Sequence, residues 1–249
     1  TEKDLSLSNE YTLDIDGYNG VNLTLGQIFN SQEFEDLYHF DGDLGALYSK
    51  EKTSFVFWSP TATSVKLALF DAGNDVSAKE TIEMTKGENG TWILDVNGDL
   101  NGTYYTYLVT NNGVEKEVTD PYAKAVGVNG NRAMVVDLES TNPEGWENDV
   151  KPEFIDATDA IIYELHIRDF TIDSSSGASI EVQGKYDGIW ESGTTLFGNG
   201  DIKTGIDHLK ELGITHLHLL PTFDHRSIDE TRLDEAQYNW GYDPQNYNA

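Results

Sequence analysis

The sequence predicts a multi-domain chain in which an all-β sandwich of immunoglobulin-like type precedes a parallel βαβ unit. Three observations carry this: a run of short period-two segments in the first half, a proline-bearing stretch without periodicity near the middle, and a strand-helix-strand pattern after it. With 249 residues there is enough apolar and aromatic side chain for a sizeable core.

In order along the chain, residues 1–40 read as an accessory segment. It holds the strand-like YTLDIDGY and then NSQEFEDLYHF, where Asn30 and Glu33 have the spacing of a helix capping box. Residues 41–140 carry TSFVFWS, TSVKLALF, ETIEMT, TWILDV, GTYYTYLV and AMVVDL, separated by Gly, Asn and Asp. Alternation with such punctuation predicts the sandwich. Trp58 and Trp92 lie in strand-like runs and are expected in its core. Residues 141–158, within STNPEGWENDVKPEF and just beyond, read as a linker.

Residues 159–249 change texture. AIIYELHI is nearly all apolar, IKTGIDHLKELG places Ile202, Ile206, Leu209 and Leu212 on one helical face, Gly213 stands where a helix end favours positive φ, and ITHLHLLP is a second strand. A right-handed crossover would make the two strands parallel neighbours, with the long polar segments after each emerging at one edge. That edge is where α/β enzymes place their chemistry. The segment YNWGYDPQNYNA lies there, and its Tyr238, Trp240, Tyr242 and Tyr247 follow neither helical nor strand periodicity. Aromatic faces beside amides and carboxylates suit sugar rings, although a packed structural turn explains the same residue types.

Composition excludes several classes. There are 44 acidic against 16 basic residues, a formal charge of -28, so nucleic acid and anionic membrane surfaces are disfavoured and a neutral ligand is not. No cysteine is present, and no apolar run has the length of a membrane span. The beginning of the chain shows no basic-then-apolar leader pattern. His216 and His218 alternate in one strand, which is read as a packed, hydrogen-bonded pair rather than a metal site, since no third ligand has a fixed spacing. His225, beside Asp224, is read as solvated, and DIDG (14–17) and DGDLG (41–45) as turns rather than calcium loops.

Five ordered blocks resemble the type I pullulanases, the α-1,6-debranching members of glycoside hydrolase family 13. FDGDLGALYSKEKTSFVFWSPTATSVKLALF and TDPYAKAVGVNGNRAMVVDLESTNPEGW look like the two ends of their carbohydrate-binding module family 48 domain. DAIIYELHIRDF resembles the first strand of the (β/α)8 TIM barrel, GIDHLKELGITHLHLLPTFD its first helix and second strand, and YNWGYDP the loop that follows. The resemblance implies a retaining glycosidase acting on pullulan, starch or glycogen, with a nucleophilic aspartate and a glutamate acid/base about 5 to 5.5 Å apart.

It also implies where those groups are. A complete barrel takes about 250 residues, whereas Ala160 to Ala249 supply 90, enough for two strands and one intervening helix. The family's catalytic residues follow later strands, so none is assigned here. Their source is expected to be a complementary chain, a cut half or further polypeptide, and the chain alone is expected to be inactive. Carried over residue by residue, Tyr242 is the substrate-stacking residue, Trp240 and Asp243 support loop and pocket, and Asn239 is the weakest assignment. The expected partner is an α-glucan. No cofactor or metal is assigned to this chain, calcium is left open for the complete enzyme, and the expected location is extracellular or cell-surface. His225 and Arg226 replace apolar residues of the family pattern. The alternatives are a non-catalytic α-glucan-binding protein and an isoamylase or branching-enzyme relative.

Overall fold

A computed structural model describes residues 6–153 and 156–249. The first five residues of the accessory segment, and Phe154 and Ile155 of the linker, lie outside the described residues. The chain forms two compact units. The first comprises the chain up to Asn142 together with Ile228–Ala236 and Pro244–Ala249; the second comprises Pro143–Ser227 and Gln237–Asp243.

The first unit opens with a small antiparallel hairpin, β1 (Thr12–Leu13) and β2 (Val21–Asn22), in register Thr12 to Asn22. DIDG forms its turn: Gly17 has φ +86° and the Tyr18 N–H donates to the Ile15 carbonyl at 3.0 Å. Helix α1 (Gln32–Tyr38) follows, and here the capping expectation is corrected. The N-cap is Ser31, whose hydroxyl accepts the Phe34 N–H at 3.2 Å. A single 3-10 turn at Ile28–Asn30 has already absorbed Asn30, which leaves Ser31 as the first residue with extended φ/ψ before the helix. Replacing Ser31 with alanine is expected to cost about 1 kcal/mol locally, measured as faster amide exchange over residues 32–38.

Two antiparallel sheets then face each other. One has the order β3 (Gly45–Tyr48), β4 (Lys52–Trp58), β8 (Thr91–Asn97), β7 (Thr85–Lys86). The other runs β10 (Val114–Val118), β9 (Tyr104–Asn111), β5 (Ser64–Phe70), β6 (Glu80–Glu83), with the two-residue β11 (Ala133–Met134) also on β9. Between them are Phe55, Val65, Leu67, Leu69, Tyr105 and Tyr107, all essentially without exposure. Phe55 of one sheet meets Tyr105 of the other edge-on at 5.0 Å, and Phe57 meets Tyr107 at 4.3 Å. These contacts across the gap make the unit a sandwich with a single aromatic-rich core.

The two tryptophans separate. Trp92 is 5% exposed and its indole N–H donates to the Ser59 carbonyl at 3.1 Å, a core position as expected. Trp58 is 38% exposed and is not core. In β4, Thr53, Phe55 and Phe57 point between the sheets, and period two sends Trp58 to the opposite face. There it is covered in part by α1, with Phe34 edge-on at 6.3 Å, and its indole N–H is shared by the carbonyls of Tyr38 (2.9 Å) and Asn89 (3.0 Å).

In the second unit, β12 (Ile162–Leu165) and β13 (His216–Leu219) pair in parallel, Ile162 opposite His216 and Leu165 opposite Leu219. Between them lie α2 (Ile167–Thr171) and α3 (Gly205–Glu211). Helix α3 is shorter than its pattern predicts. Ile202 lies outside it, next to the bridge that pairs Thr195 with Lys203, and Ile202 and Leu212 are exposed while Leu209 is buried. Gly213, just past the C-cap, has the expected positive φ of +74°. His216 and His218 are exposed rather than packed. His216 Nδ1 lies 2.8 Å from the Thr215 hydroxyl, and His218 Nδ1 lies 3.2 Å from the Glu164 carboxylate across the parallel pair. No helix among the described residues is long and apolar enough to cross a membrane.

Candidate functional site

The site is built on the segment that follows β13, and its architecture centres on one amide side chain. Asn239 Oδ1 accepts the Gly241 N–H, while Nδ2 donates to the Ser227 hydroxyl at 2.5 Å and to Asp243 Oδ1 at 2.5 Å. Asp243 closes the ring: Oδ2 accepts the Ser227 N–H at 2.8 Å, and its main-chain carbonyl accepts the Arg226 N–H at 3.0 Å. Residues 226–227 and 239–243 are therefore cross-linked by polar groups on both sides of the turn.

Hydrogen bonds from Ser227 and then Asn239 stabilise the ionised Asp243 carboxylate, and His225 adds an electrostatic contribution. Together they hold its carboxyl below the usual carboxylate range against a smaller opposing effect of desolvation. His225 is half-buried, with Nδ1 enclosed, and so is not the solvated loop histidine expected from its neighbours. On the other side, His166 Nε2 lies 3.0 Å from the Asn239 carbonyl, and its Nδ1 accepts the Asp169 N–H at 3.3 Å as the N-cap of α2. In the tautomer with Nδ1 as acceptor, the Nε2–H points to the Asn239 carbonyl and ties the imidazole to the loop.

Gly241 is the point at which only glycine fits. Its φ is +87°, and a Cβ there would fall on the Pro221 carbonyl oxygen. This close approach seats the turn against the chain leaving β13, and the rings are presented from it. Tyr242 is 66% exposed and Trp240 62% exposed; Trp240 meets Tyr238 edge-on at 6.5 Å, and Tyr238 lies 5.9 Å from the His166 ring.

The structure thus brings all four residues singled out from the sequence into one turn. Asp243 ties the turn to Ser227 and Asn239. Trp240 is presented to solvent, and Asn239 is the hub of the network. Ser227, His166 and Pro221 were not singled out. Their part depends on contacts made by residues distant in sequence, to which no local pattern points.

Comparison with known proteins gives this geometry a context. The sequence profile of Carbohydrate-binding module 48 (Isoamylase N-terminal domain) matches residues 43–123, the body of the sandwich. Pullulanase of Bacillus subtilis (strain 168) is 38% identical over 229 residues, 92% of this chain and 30% of its own length. The chain is related to the pullulanases. Among solved structures, pullulanase from Bacillus acidopullulyticus matches with a TM-score of 0.89 and 44% identity, over 98% of this chain and 29% of that one. Pullulanase from Paenibacillus barengoltzii, in a complex with maltohexaose and alpha-cyclodextrin, matches with a TM-score of 0.82 and 49% identity, over 88% and 34%. The chain therefore spans about a third of the length of these pullulanases.

Proposed function

We propose that this chain forms part of a pullulanase-type glycoside hydrolase that cleaves α-1,6-glucosidic links in pullulan, starch or glycogen. In this reading β12, α3 and β13 are the opening elements of a (β/α)8 catalytic barrel. The exposed apolar side chains of Ile162, Leu217 and Leu219 support it, since further barrel elements would cover them. The nucleophile and the acid/base of a retaining mechanism are then supplied by polypeptide outside these residues. The strongly acidic composition, -28, fits a neutral polysaccharide substrate and a place outside the cell or at its surface.

The observation that carries the proposal for this chain is the turn at 239–243: a glycine-dependent bend, braced by Asn239 and Asp243, that presents Tyr242 and Trp240 at the edge following a parallel strand. Tyr242 stacks on a glucose ring, Trp240 extends the apolar wall, and the amide and carboxylate keep the rings in register. The bound maltooligosaccharide and cyclodextrin of the Paenibacillus relative are consistent with such a ligand.

Covering roughly 60–90 Å² of ring face, at about 25 cal/mol per Å², contributes ~1.5–2 kcal/mol. Tyr242→Ala in the full-length protein is therefore expected to weaken maltotriose binding and lower kcat/KM on pullulan by about 10- to 30-fold. Tyr242→Phe, which keeps the face, should stay within about threefold of the parent. Full affinity for maltotriose in the alanine variant would overturn the assignment.

A further inference from the structure

Both stretches of chain that bracket the aromatic turn, Ile228–Ala236 before it and Pro244–Ala249 after it, belong to the sandwich unit. A single sandwich residue holds both. Asn129 sits in the turn Val128–Gly130 with left-handed backbone angles, φ 55° and ψ 26°, a conformation that asparagine tolerates better than most residues with a side chain. Its N–H donates to Glu230 Oε2 at 2.7 Å, and its Oδ1 accepts the Glu230 N–H at 2.7 Å. Its Nδ2 donates to Asp229 Oδ1 at 3.2 Å, and its carbonyl accepts from Gln245 Nε2 at 3.0 Å. Every polar group of Asn129 is thus committed to a segment that leads into or out of residues 237–243. The adjacent Gly130 carbonyl accepts from Asn246 Nδ2 at 3.0 Å.

The receiving turn is itself hydrogen-bonded and closely packed within the sandwich unit. The Thr119 hydroxyl lies 3.2 Å from the Gly130 carbonyl and 3.0 Å from that of Asn131, and the Gly127 N–H donates to the Arg132 carbonyl at 2.8 Å. Behind it Gly127 is packed so closely on Gly73 that a Cβ would lie 2.6 Å from the Gly73 Cα. The partner side is organised too: Asp229 accepts the N–H and hydroxyl of Thr231 at 3.1 and 2.7 Å and the Arg232 Nε–H at 3.0 Å.

We propose that Asn129 is a positioning residue for the sugar-stacking turn. By fixing residues 229–230 and 245–246 to the sandwich, it limits the positions open to the fourteen residues strung between them, the turn at 237–243 included, and so pre-organises Tyr242 and Trp240 for the ligand. This gives the sandwich a part in substrate binding that requires no sugar contact of its own. Ordering a loop in advance removes that entropy from the binding step. The inference rests on the reading of residues 239–243 as a sugar site.

The test uses the full-length protein, with maltotriose as probe and amide exchange as a second readout. Asn129→Asp keeps shape and turn preference but places a carboxylate against Asp229 and Glu230; Asn129→Gly keeps the turn and removes only the side chain. Both variants are expected to speed exchange over residues 228–248 by about tenfold, to weaken maltotriose binding by about five- to tenfold, and to leave the exchange of β4 and β9 unchanged. Unchanged exchange over 228–248 overturns the clamp. Faster exchange with unaltered affinity, in a background where Tyr242→Ala does weaken binding, overturns the positioning role. If Tyr242→Ala keeps full affinity, the sugar-site reading fails, and exchange alone then decides whether Asn129 holds the two segments.

Discussion

Gly241→Ala in the full-length protein is expected to lose maltotriose binding by about 30-fold or more while leaving the unfolding of the sandwich unaltered. Two costs combine. A side chain at φ +87° carries the left-handed penalty, ~1–2 kcal/mol for a residue other than glycine. The new Cβ would also collide with the Pro221 carbonyl, a main-chain group that cannot swing aside as a flexible side chain would, and displacing packed backbone adds ~1–3 kcal/mol.

The turn relieves this by moving, and movement breaks the bond from the Gly241 N–H to Asn239 and loosens the grip of Asn239 on Asp243. At roughly tenfold per 1.4 kcal/mol, the lower part of the combined range already gives the expected loss. Isothermal titration with maltotriose, alongside amide exchange over 237–243, checks it. A variant that binds normally, with the turn still protected, would show that the bend is not what presents the rings.

How far the sequence reveals such features depends on how local their causes are. The sandwich strands were legible because each buries one face, and period two makes that visible in six residues. The same rule, applied residue by residue, also places Trp58 on the face opposite Phe55 and Phe57. The cover that α1 supplies to Trp58 has no trace in β4 itself. Strand β10, VEKEV, was not marked because its exposed edge is charged, as an edge strand that avoids association should be. At α1, Asn30 and Ser31 are both good caps, and only the preceding 3-10 turn selects between them.

The site divides the same way. Tyr242, Trp240 and Gly241 stand out as residue types that no periodic element needs. The reasons for the turn are contacts with Ser227, His166 and Pro221, set by where β12 and β13 end and not by the sequence of the turn.

The second large effect lies in the sandwich core, at Asp120, which is 1% exposed. One carboxylate oxygen accepts the hydroxyls of Tyr105 (2.7 Å) and Tyr107 (3.3 Å), and the other accepts the Tyr122 N–H at 2.8 Å. Asp120→Ala strands two buried phenols and a main-chain amide at ~1–3 kcal/mol each, partly relieved by water entering the space. A loss of about 3–5 kcal/mol is expected, read as an earlier sandwich transition in urea.

The pH dependence has a definite sign. Burial raises the carboxyl above its usual range, and the three donors only partly offset this. A folded value above the unfolded one means that the group's titration favours folding fully below the unfolded pKa, near 3.9, and that this contribution fades as pH rises through the folded value. Asparagine does not titrate. Asp120→Asn, which cannot accept from all three donors, is therefore expected to be less stable than the parent by most at acid pH, with the gap narrowing toward neutrality. Urea midpoints across that window that diverge with rising pH would show instead that the donors outweigh burial and hold the carboxyl low.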